Sequence, residues 1–311
     1  ATFTTSIKVF GVALSGAYIG IQIEKKDIKN FKYLIKPLLI LLILLTINTF
    51  IAGACIHYLC DMDWLTALLS CVAGGVTDMS IVAMDMNADA SIVAMMQTCR
   101  LIGVLLIFPY WITFLCKKEP EATEDDRFKQ SIIKNPTFLD KLIKTKRAKI
   151  IFTLIISFIS GYLGLWSGLP AASMMVPMFV IMFLNVTSDA CLVPKSEKLI
   201  AQILAGSVVG CSIKAETFSS LNTTIIPVMI LLISYFVVNF SFSILCKKRN
   251  YLDMKSAMFA SAPGGATDMT LIAADLGADL TKIALIQALR AAYVVSVMPM
   301  LILLFIKVFG N

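Results

Sequence analysis

A glycine break with an adjacent carboxylate occurs twice in this sequence, at a numbering offset of 190. The two copies read Gly74-Gly75-Val76-Thr77-Asp78-Met79 and Gly264-Gly265-Ala266-Thr267-Asp268-Met269. Downstream of each break a glutamine precedes an arginine by three positions, at Gln97 and Arg100 and again at Gln287 and Arg290. Over 74–109, 14 of 36 positions are identical at this offset. Polar groups in apolar surroundings are costly, so this repeated set indicates a functional site.

The chemistry of the repeated set is that of anion binding. A break inside a helix leaves the amide groups at the start of the second half-helix without partners, and a helix N-terminus favours an anion. Glutamine and arginine three positions apart lie on one helix face. We predict one site for a small organic anion, built from both copies by Gly74, Gly75, Thr77, Met79, Gln97, Arg100, Gly264, Gly265, Thr267, Met269, Gln287 and Arg290.

The carboxylates of the two copies have two interpretations. Asp78 and Asp268 are predicted to carry a coupling ion, a proton or sodium, which would make the protein a symporter. Alternatively, each aspartate caps its half-helix and pairs with an arginine, so that the set is a fixed scaffold. The sequence predicts no metal site, no catalytic residue and no cofactor apart from the coupling ion.

The elements that must position these residues are transmembrane helices. Hydrophobic residues make up 58% of the chain, charged residues 15%, and mean hydropathy is +0.85. A helix needs about 20 apolar residues to cross a bilayer, and clear spans are predicted over 38–56, 150–166, 225–245 and 283–306. We expect an all-α, multi-pass protein of the cell membrane in contact with lipid. The net charge of +7 is concentrated between the spans, so it indicates orientation and not nucleic-acid binding.

The distribution of lysine and arginine predicts an inverted repeat. Basic residues crowd 25–36, predicted as a short loop, and 117–149, where ten Lys or Arg stand against six Asp or Glu, so both segments should be cytoplasmic. The helix before 59–63 ends beside aspartates, whereas its counterpart at 225–245 ends in Lys247-Lys248-Arg249. The copies should therefore lie in opposite orientations, each with a re-entrant helical hairpin broken at Gly-Gly. This arrangement is typical of secondary transporters.

The domain organisation follows from the repeat. Residues 1–116 form a first repeat, in which counterparts of the second repeat's first two helices are missing from this sequence, and 150–311 form the second repeat. Either those helices lie outside this sequence or the protein dispenses with them. Residues 117–149 are expected to be a basic cytoplasmic linker, either solvated or with an interfacial helix over 128–149.

Other functions are weighed against secondary transport of a small organic anion. An enzyme is not expected, because the eight cysteines are scattered and the single histidine, His57, lies outside the repeated set. A cation/proton antiporter, with the aspartates carrying the ion, and a membrane regulator or sensor without transport stay open. The expected partners are a small-molecule substrate and the lipid bilayer, and the chain could pair as a homodimer.

The repeated motifs resemble one known family. Glycine-glycine followed by an acidic residue and methionine, then Gly-Ala-Asp, Gln-x-x-Arg and a final proline, is similar to the membrane AbrB-type family. That family consists of duplicated integral membrane proteins often labelled ammonia monooxygenase or regulator, and it is distinct from the small DNA-binding AbrB. The resemblance covers nearly all of 1–116 and 150–309. This chain has Asp78 and Asp268 where the family usually has glutamate, Ala73 in place of proline, and Asn87 in place of the glycine found at Gly277.

The inverted orientation can be tested by cysteine labelling in a background without the native cysteines. Single cysteines at 59–63 should react with an impermeant reagent from outside, and cysteines at 247–250 only after the cytoplasmic side is opened. Labelling of both segments from the same side would contradict the inverted repeat.

Overall fold

The regular structure is entirely helical in the part of the chain that the computed structural model describes, residues 5–23, 25–116, 145–167, 171–188, 191–192, 203, 221–264, 269, 272–273 and 276–309. In chain order the helices are α1 (Thr5–Ile21), α2 (Lys25–Cys60), α3 (Trp64–Ser70), α4 (Val76–Asp85), α5 (Ala90–Leu115), α6 (Lys146–Trp166), α7 (Ala172–Thr187), α8 (Leu221–Lys248), α9 (Met254–Ser261), α10 (Leu280–Ser296) and α11 (Met298–Phe309).

Several of these helices are long and apolar enough to cross a membrane. Within the described ranges four qualify, and a fifth is obtained if α10 and α11 count as one bent span; the four are Tyr33–Cys60, Ala90–Leu115, Lys146–Trp166 and Thr224–Lys248. Their outward faces carry large exposed apolar side chains, such as Ile43 and Ile51 on α2 and Ile233 and Val237 on α8. The prediction of an all-α, multi-pass membrane protein is therefore confirmed.

The basic segment at the start of α2 differs from the sequence prediction. The sequence predicts a loop over 25–36, but α2 begins at Lys25 and runs for 36 residues to Cys60 with Pro37 inside it. At 1.5 Å per residue such a helix is about 54 Å long, well beyond a hydrocarbon core of about 30 Å. Lysine is a good helix former, so nothing in the local sequence ends the helix at the membrane surface.

The last predicted span, 283–306, is also not continuous. Helix α10 ends at Ser296, α11 begins at Met298, and the two are bent by 42°. Pro299 has no amide hydrogen and its ring opposes the carbonyl four residues earlier, which disfavours a continuous helix at this point. The equivalent Pro109 lies inside α5 without dividing it, so the surrounding packing decides whether the proline produces a break.

Helices α1, α6 and α7 form one closely packed group. The spacing of Gly16 and Gly20 on α1 favours the close approach of another helix. In the structure a β-carbon at Gly16 would collide with the main-chain carbonyl of Met174, and one at Gly20 with that of Met178. The backbones of α1 and α7 therefore meet almost without side chains between them.

The two halves meet along α2 and α8, which are related by the offset of 190. These helices pack against each other, and a large apolar core joins them to α5, α9 and α10. A second core joins α3, α4, α7, α10 and α11. Both cores therefore contain elements of both halves. The predicted linker 117–149 lies outside the described residues up to 144, and its last residues belong to α6.

The left-handed turns repeat as well. Asn87, after α4, has φ 59°, and Gly277, its counterpart in the second copy, has φ 67°. Glycine and, among the other residues, asparagine tolerate this conformation best. The replacement of glycine by Asn87 thus leaves the turn unchanged.

Alanine at Gly16 or Gly20 should destabilise the fold, because the obstacle is rigid main chain on α7. Overpacking of this kind costs about 1–3 kcal/mol. Gly103 is the matched control, since a β-carbon there would meet only the flexible end of Leu232. In detergent, the thermal unfolding midpoints of Gly16→Ala and Gly20→Ala should lie well below that of Gly103→Ala. Equal midpoints for all three variants would contradict the close packing of α1 and α7.

Candidate functional site

The first glycine break lies between α3 and α4. Helix α3 ends at Ser70 with Cys71 as its C-cap, and α4 begins at Val76 with Gly75 as its N-cap. The carbonyls in the last turn of a helix have no intrahelical partners, and those of the connecting residues also need donors. In an apolar environment these carbonyls must be satisfied by the protein itself.

Two side chains of α5 supply most of the missing donors. The amide nitrogen Nε2 of Gln97 lies 3.1, 3.2 and 3.0 Å from the carbonyl oxygens of Leu69, Ser70 and Val72. Arg100 donates from Nη1 to the Val72 carbonyl at 2.9 Å and from Nη2 to the Gly74 carbonyl at 2.6 Å. The guanidinium group therefore bridges the break.

The second break has the same arrangement. Nε2 of Gln287 donates to the carbonyls of Phe259 and Ala262 at 2.9 and 3.2 Å. Arg290 donates from Nη1 to Ala262 at 2.8 Å and from Nη2 to Gly264 at 3.2 Å. Nη2 of Arg290 also bonds the Gln287 Oε1 atom at 2.5 Å. The acceptors at Phe259, Ala262 and Gly264 each have a counterpart in the first break at the same offset of 190. We call the contacts of each arginine with its two carbonyls the arginine clamp.

Both clamps are buried. Arg100 is 2% exposed and Arg290 is 4% exposed. Tyr235 of α8 belongs to the same group, because its ring centroid is 6.0 Å from Cζ of Arg100 and its hydroxyl donates to the Cys71 carbonyl at 2.8 Å. The Nε atoms of both arginines are buried and have no hydrogen-bond partner among the described residues.

Asp78 lies in the first turn of α4, near the least buried part of the break. Its Oδ2 atom would be 2.5 Å from a β-carbon placed on Gly75, so the carboxylate folds back over the N-terminus of its own helix. The hydroxyl of Thr77 is 3.5 Å from Oδ1 of Asp78. Gly75 is exposed, while Thr77 and Asp78 are half-buried. Gly265, Thr267 and Asp268, the counterparts in the second copy, lie outside the described residues.

The two methionines of the motif are placed differently from the other predicted site residues. Met79 and Met269 are fully buried, and each packs beneath the first glycine of its break. A β-carbon at Gly74 would meet the Met79 side chain and Val294 of α10, so the first break touches a helix of the other half. The methionines therefore pack against the glycine turns on their buried side.

Several polar residues position the site in ways that were not predicted from the sequence. Asp63 and Asp253 cap α3 and α9, and Asp89 and Asp279 cap α5 and α10. Thr66 accepts from the Asp89 amide at 3.1 Å, and Ser256 accepts from the Asp279 amide at 2.8 Å. These bonds connect α3 to α5 and α9 to α10, and we call α5 and α10 the clamp helices because they carry the clamp arginines. All of these pairs are related by the offset of 190: Asp89 and Asp279 belong to the repeated motif, and the same offset relates the other two pairs upstream of it.

Other polar contacts have no signal in the repeat. Thr49 donates to the Cys71 carbonyl at 3.3 Å, and its counterpart Asn239 donates to the Met258 carbonyl at 2.7 Å and to Oγ of Ser261 at 2.8 Å. Residue types at these two positions differ, and Leu45, the counterpart of Tyr235, has no polar atom. His57 bonds the Met62 carbonyl at 2.6 Å and stacks on Trp64, at the far end of α2. Within the described ranges no three His, Cys, Asp or Glu side chains are grouped to hold a metal.

Within the described residues, the fold and the paired clamps define a class of protein, an all-helical multi-pass membrane protein in which each half has an arginine clamp. Comparison with known families assigns the class to a family. The family described as "Transition state regulatory protein AbrB" matches twice, over residues 1–194 and 189–310, and this chain belongs to it. The resemblance inferred from the repeated motifs is thereby confirmed.

A curated relative is similar over most of the chain. The uncharacterized protein YhjN of Bacillus subtilis (strain 168) is 20% identical over 310 residues, which covers 93% of this chain and 77% of that protein.

Lysine in place of either clamp arginine should destabilise the protein, because one ammonium nitrogen cannot reproduce the paired contacts of a guanidinium. We expect losses of roughly 1–3 kcal/mol for the unsatisfied buried carbonyls. The loss should be larger for Arg290→Lys, since Arg290 also holds Gln287. Thermal unfolding with and without small carboxylates is the measurement, and the exposed Arg249, changed to lysine, is the control. Unchanged midpoints in both clamp variants would show that the paired contacts are dispensable.

Proposed function

We propose that this protein is a secondary active transporter of a small organic anion, with its substrate site where the two glycine breaks approach each other. The observation that carries the proposal is the pair of buried guanidinium groups, one at each break. Their contacts in the described structure are to main-chain carbonyls, to Gln287 Oε1 and to the face of Tyr235. A membrane protein retains such costly buried charges chiefly for function.

The charge balance of the site supports an anionic substrate. Two arginines contribute two positive charges, the C-terminus of each preceding half-helix offsets about half a charge, and the N-terminus of α4 adds about half a charge. About one and a half positive charges then remain. Ionised Asp78 offsets most of this charge within the described residues, whereas protonated Asp78 leaves the site more positive. A proton on Asp78 would therefore favour entry of a monoanion.

The position of Asp78 supports competition between its carboxylate and the substrate. Helix geometry provides no intrahelical acceptor for the amides of Val76, Thr77 and Asp78. The carboxylate of Asp78 lies over this N-terminus, and a bound substrate carboxylate would favour the same place. Protonation would weaken the internal contact, so that the substrate and a proton, or the substrate and sodium, bind together. Re-entry of the two breaks from opposite faces would then allow alternating access.

Two other functions have specific support. A cation/proton antiporter would use half-buried Asp78 for the ion and the clamps only to satisfy the breaks. A membrane regulator or sensor fits the description of the family as a regulatory protein. Neither alternative needs uptake of a carboxylate, and uptake is therefore what separates the proposal from both.

Purified protein in liposomes should accumulate at least one member of a panel of labelled small carboxylates when an inward proton gradient is applied. Asp78→Asn keeps the size of the side chain but cannot exchange a proton. Accumulation should fall to the level of empty liposomes, while one-for-one exchange of carboxylate across the membrane should persist.

Asp85→Asn is the matched control, because it removes the same charge from the exposed end of α4 and should accumulate like the wild type. Cation-dependent proton flux without carboxylate uptake would favour the antiporter. Wild-type accumulation in Asp78→Asn at every pH would mean that Asp78 is only a cap.

A further inference from the structure

The carbonyl oxygens of the first break form a cluster that already has donors. Five carbonyls, from 69 to 72 and at 74, lie within hydrogen-bond distance of side-chain donors on three different helices; the donors are Gln97 and Arg100 of α5, Tyr235 of α8 and Thr49 of α2. The carbonyl of Val72 accepts from Nη1 of Arg100 at 2.9 Å and from the Gly74 amide at 2.8 Å, and Nε2 of Gln97 lies 3.0 Å from it. A carbonyl oxygen has two lone pairs, so Val72 has none left.

A cluster of this kind is the usual binding place of a small cation. Where transport helices are discontinuous, unwound carbonyls and the negative C-terminal end of the half-helix coordinate sodium. Here the positive charge at that place is a guanidinium group, held at 2.6 and 2.9 Å from its two carbonyls in the first break. In the second break, Arg290 occupies the corresponding place against Ala262 and Gly264.

We infer that Arg100 and Arg290 are resident cations, which fill the carbonyl clusters of the two broken helices and exclude sodium from them. The consequence of this inference rests on the proposed transport function: the coupling ion is a proton and not an alkali metal ion. The negative ends of both half-helices are permanently neutralised, and a further cation there would face an adjacent guanidinium charge. The clusters therefore hold the breaks in shape and take no part in ion exchange.

Sodium dependence of the wild-type protein gives the first test. At equal ionic strength, the unfolding midpoint of the detergent-solubilised protein should be the same in sodium, potassium and choline chloride. Carboxylate uptake into liposomes should proceed equally in all three salts. A midpoint raised by sodium alone, or uptake that requires sodium, would overturn the inference.

Removal of one resident cation gives the second test. Arg100→Ala should lower the unfolding midpoint and create a vacancy that small cations can fill. Millimolar methylguanidinium or sodium, at about ten times its dissociation constant, should then raise the midpoint by about 2–4 °C relative to choline. The wild type should show no such rise. Arg249→Ala, which removes an exposed arginine from the end of α8, should show none either. Equal responses of Arg100→Ala to methylguanidinium and choline would refute the role.

If Arg100→Ala does not fold, Arg290→Ala repeats the second test in the other half. If neither variant folds, the comparison of the wild-type protein in sodium, potassium and choline chloride decides the inference. The two proposals fail in different ways. No uptake in any salt, together with selective rescue by methylguanidinium, would remove the transporter and keep the resident cations. Uptake that needs sodium would keep the transporter and remove the resident cations.

Discussion

The structure depends on how a broken helix satisfies its open carbonyls away from water. A half-helix that stops inside an apolar layer leaves acceptors that cannot be hydrated, and each unsatisfied group costs several kilocalories. This protein meets the requirement with an arginine and a glutamine from the following clamp helix, once in each half. The hydroxyl of Thr66 or Ser256 then fixes the start of the clamp helix to the half-helix that it serves. Shape and charge of the candidate site both follow from these contacts.

The two halves share this device but are not equivalent. Tyr235 approaches the first clamp from α8, and its counterpart Leu45 offers no hydroxyl. Lys282 pairs with Asp279 at 3.0 Å in the second half, where the first half has Ile92. Pro299 coincides with a bend between α10 and α11, and Pro109 lies within an unbroken α5. The two breaks therefore differ in their surroundings.

The arginine clamps also connect the scaffold interpretation with the binding interpretation. Gln97, Arg100, Gln287 and Arg290 use most of their donors on main-chain carbonyls, as a scaffold would require. The scaffold nevertheless places the positive charge of Arg100 beside the N-terminus of α4, whose first turn contains Asp78. The same arginines can therefore support the breaks and also contribute positive charge to the candidate site.

The sequence alone determined the features that depend on composition and on local conformation. Hydropathy predicted the all-helical membrane class, and the offset of 190 located both glycine breaks and their Gln-x-x-Arg partners. The clamp contacts required the folded chain, because Gln97 and Leu69 are 28 residues apart and Tyr235 and Cys71 are 164 apart. The carbonyl partners of Arg100 at Val72 and Gly74, and the position of the Asp78 carboxylate over Gly75, also required the folded chain. Helix ends follow local propensities, whereas the partner of a buried charge is decided by the packing of whole helices, and tertiary structure alone fixes that packing.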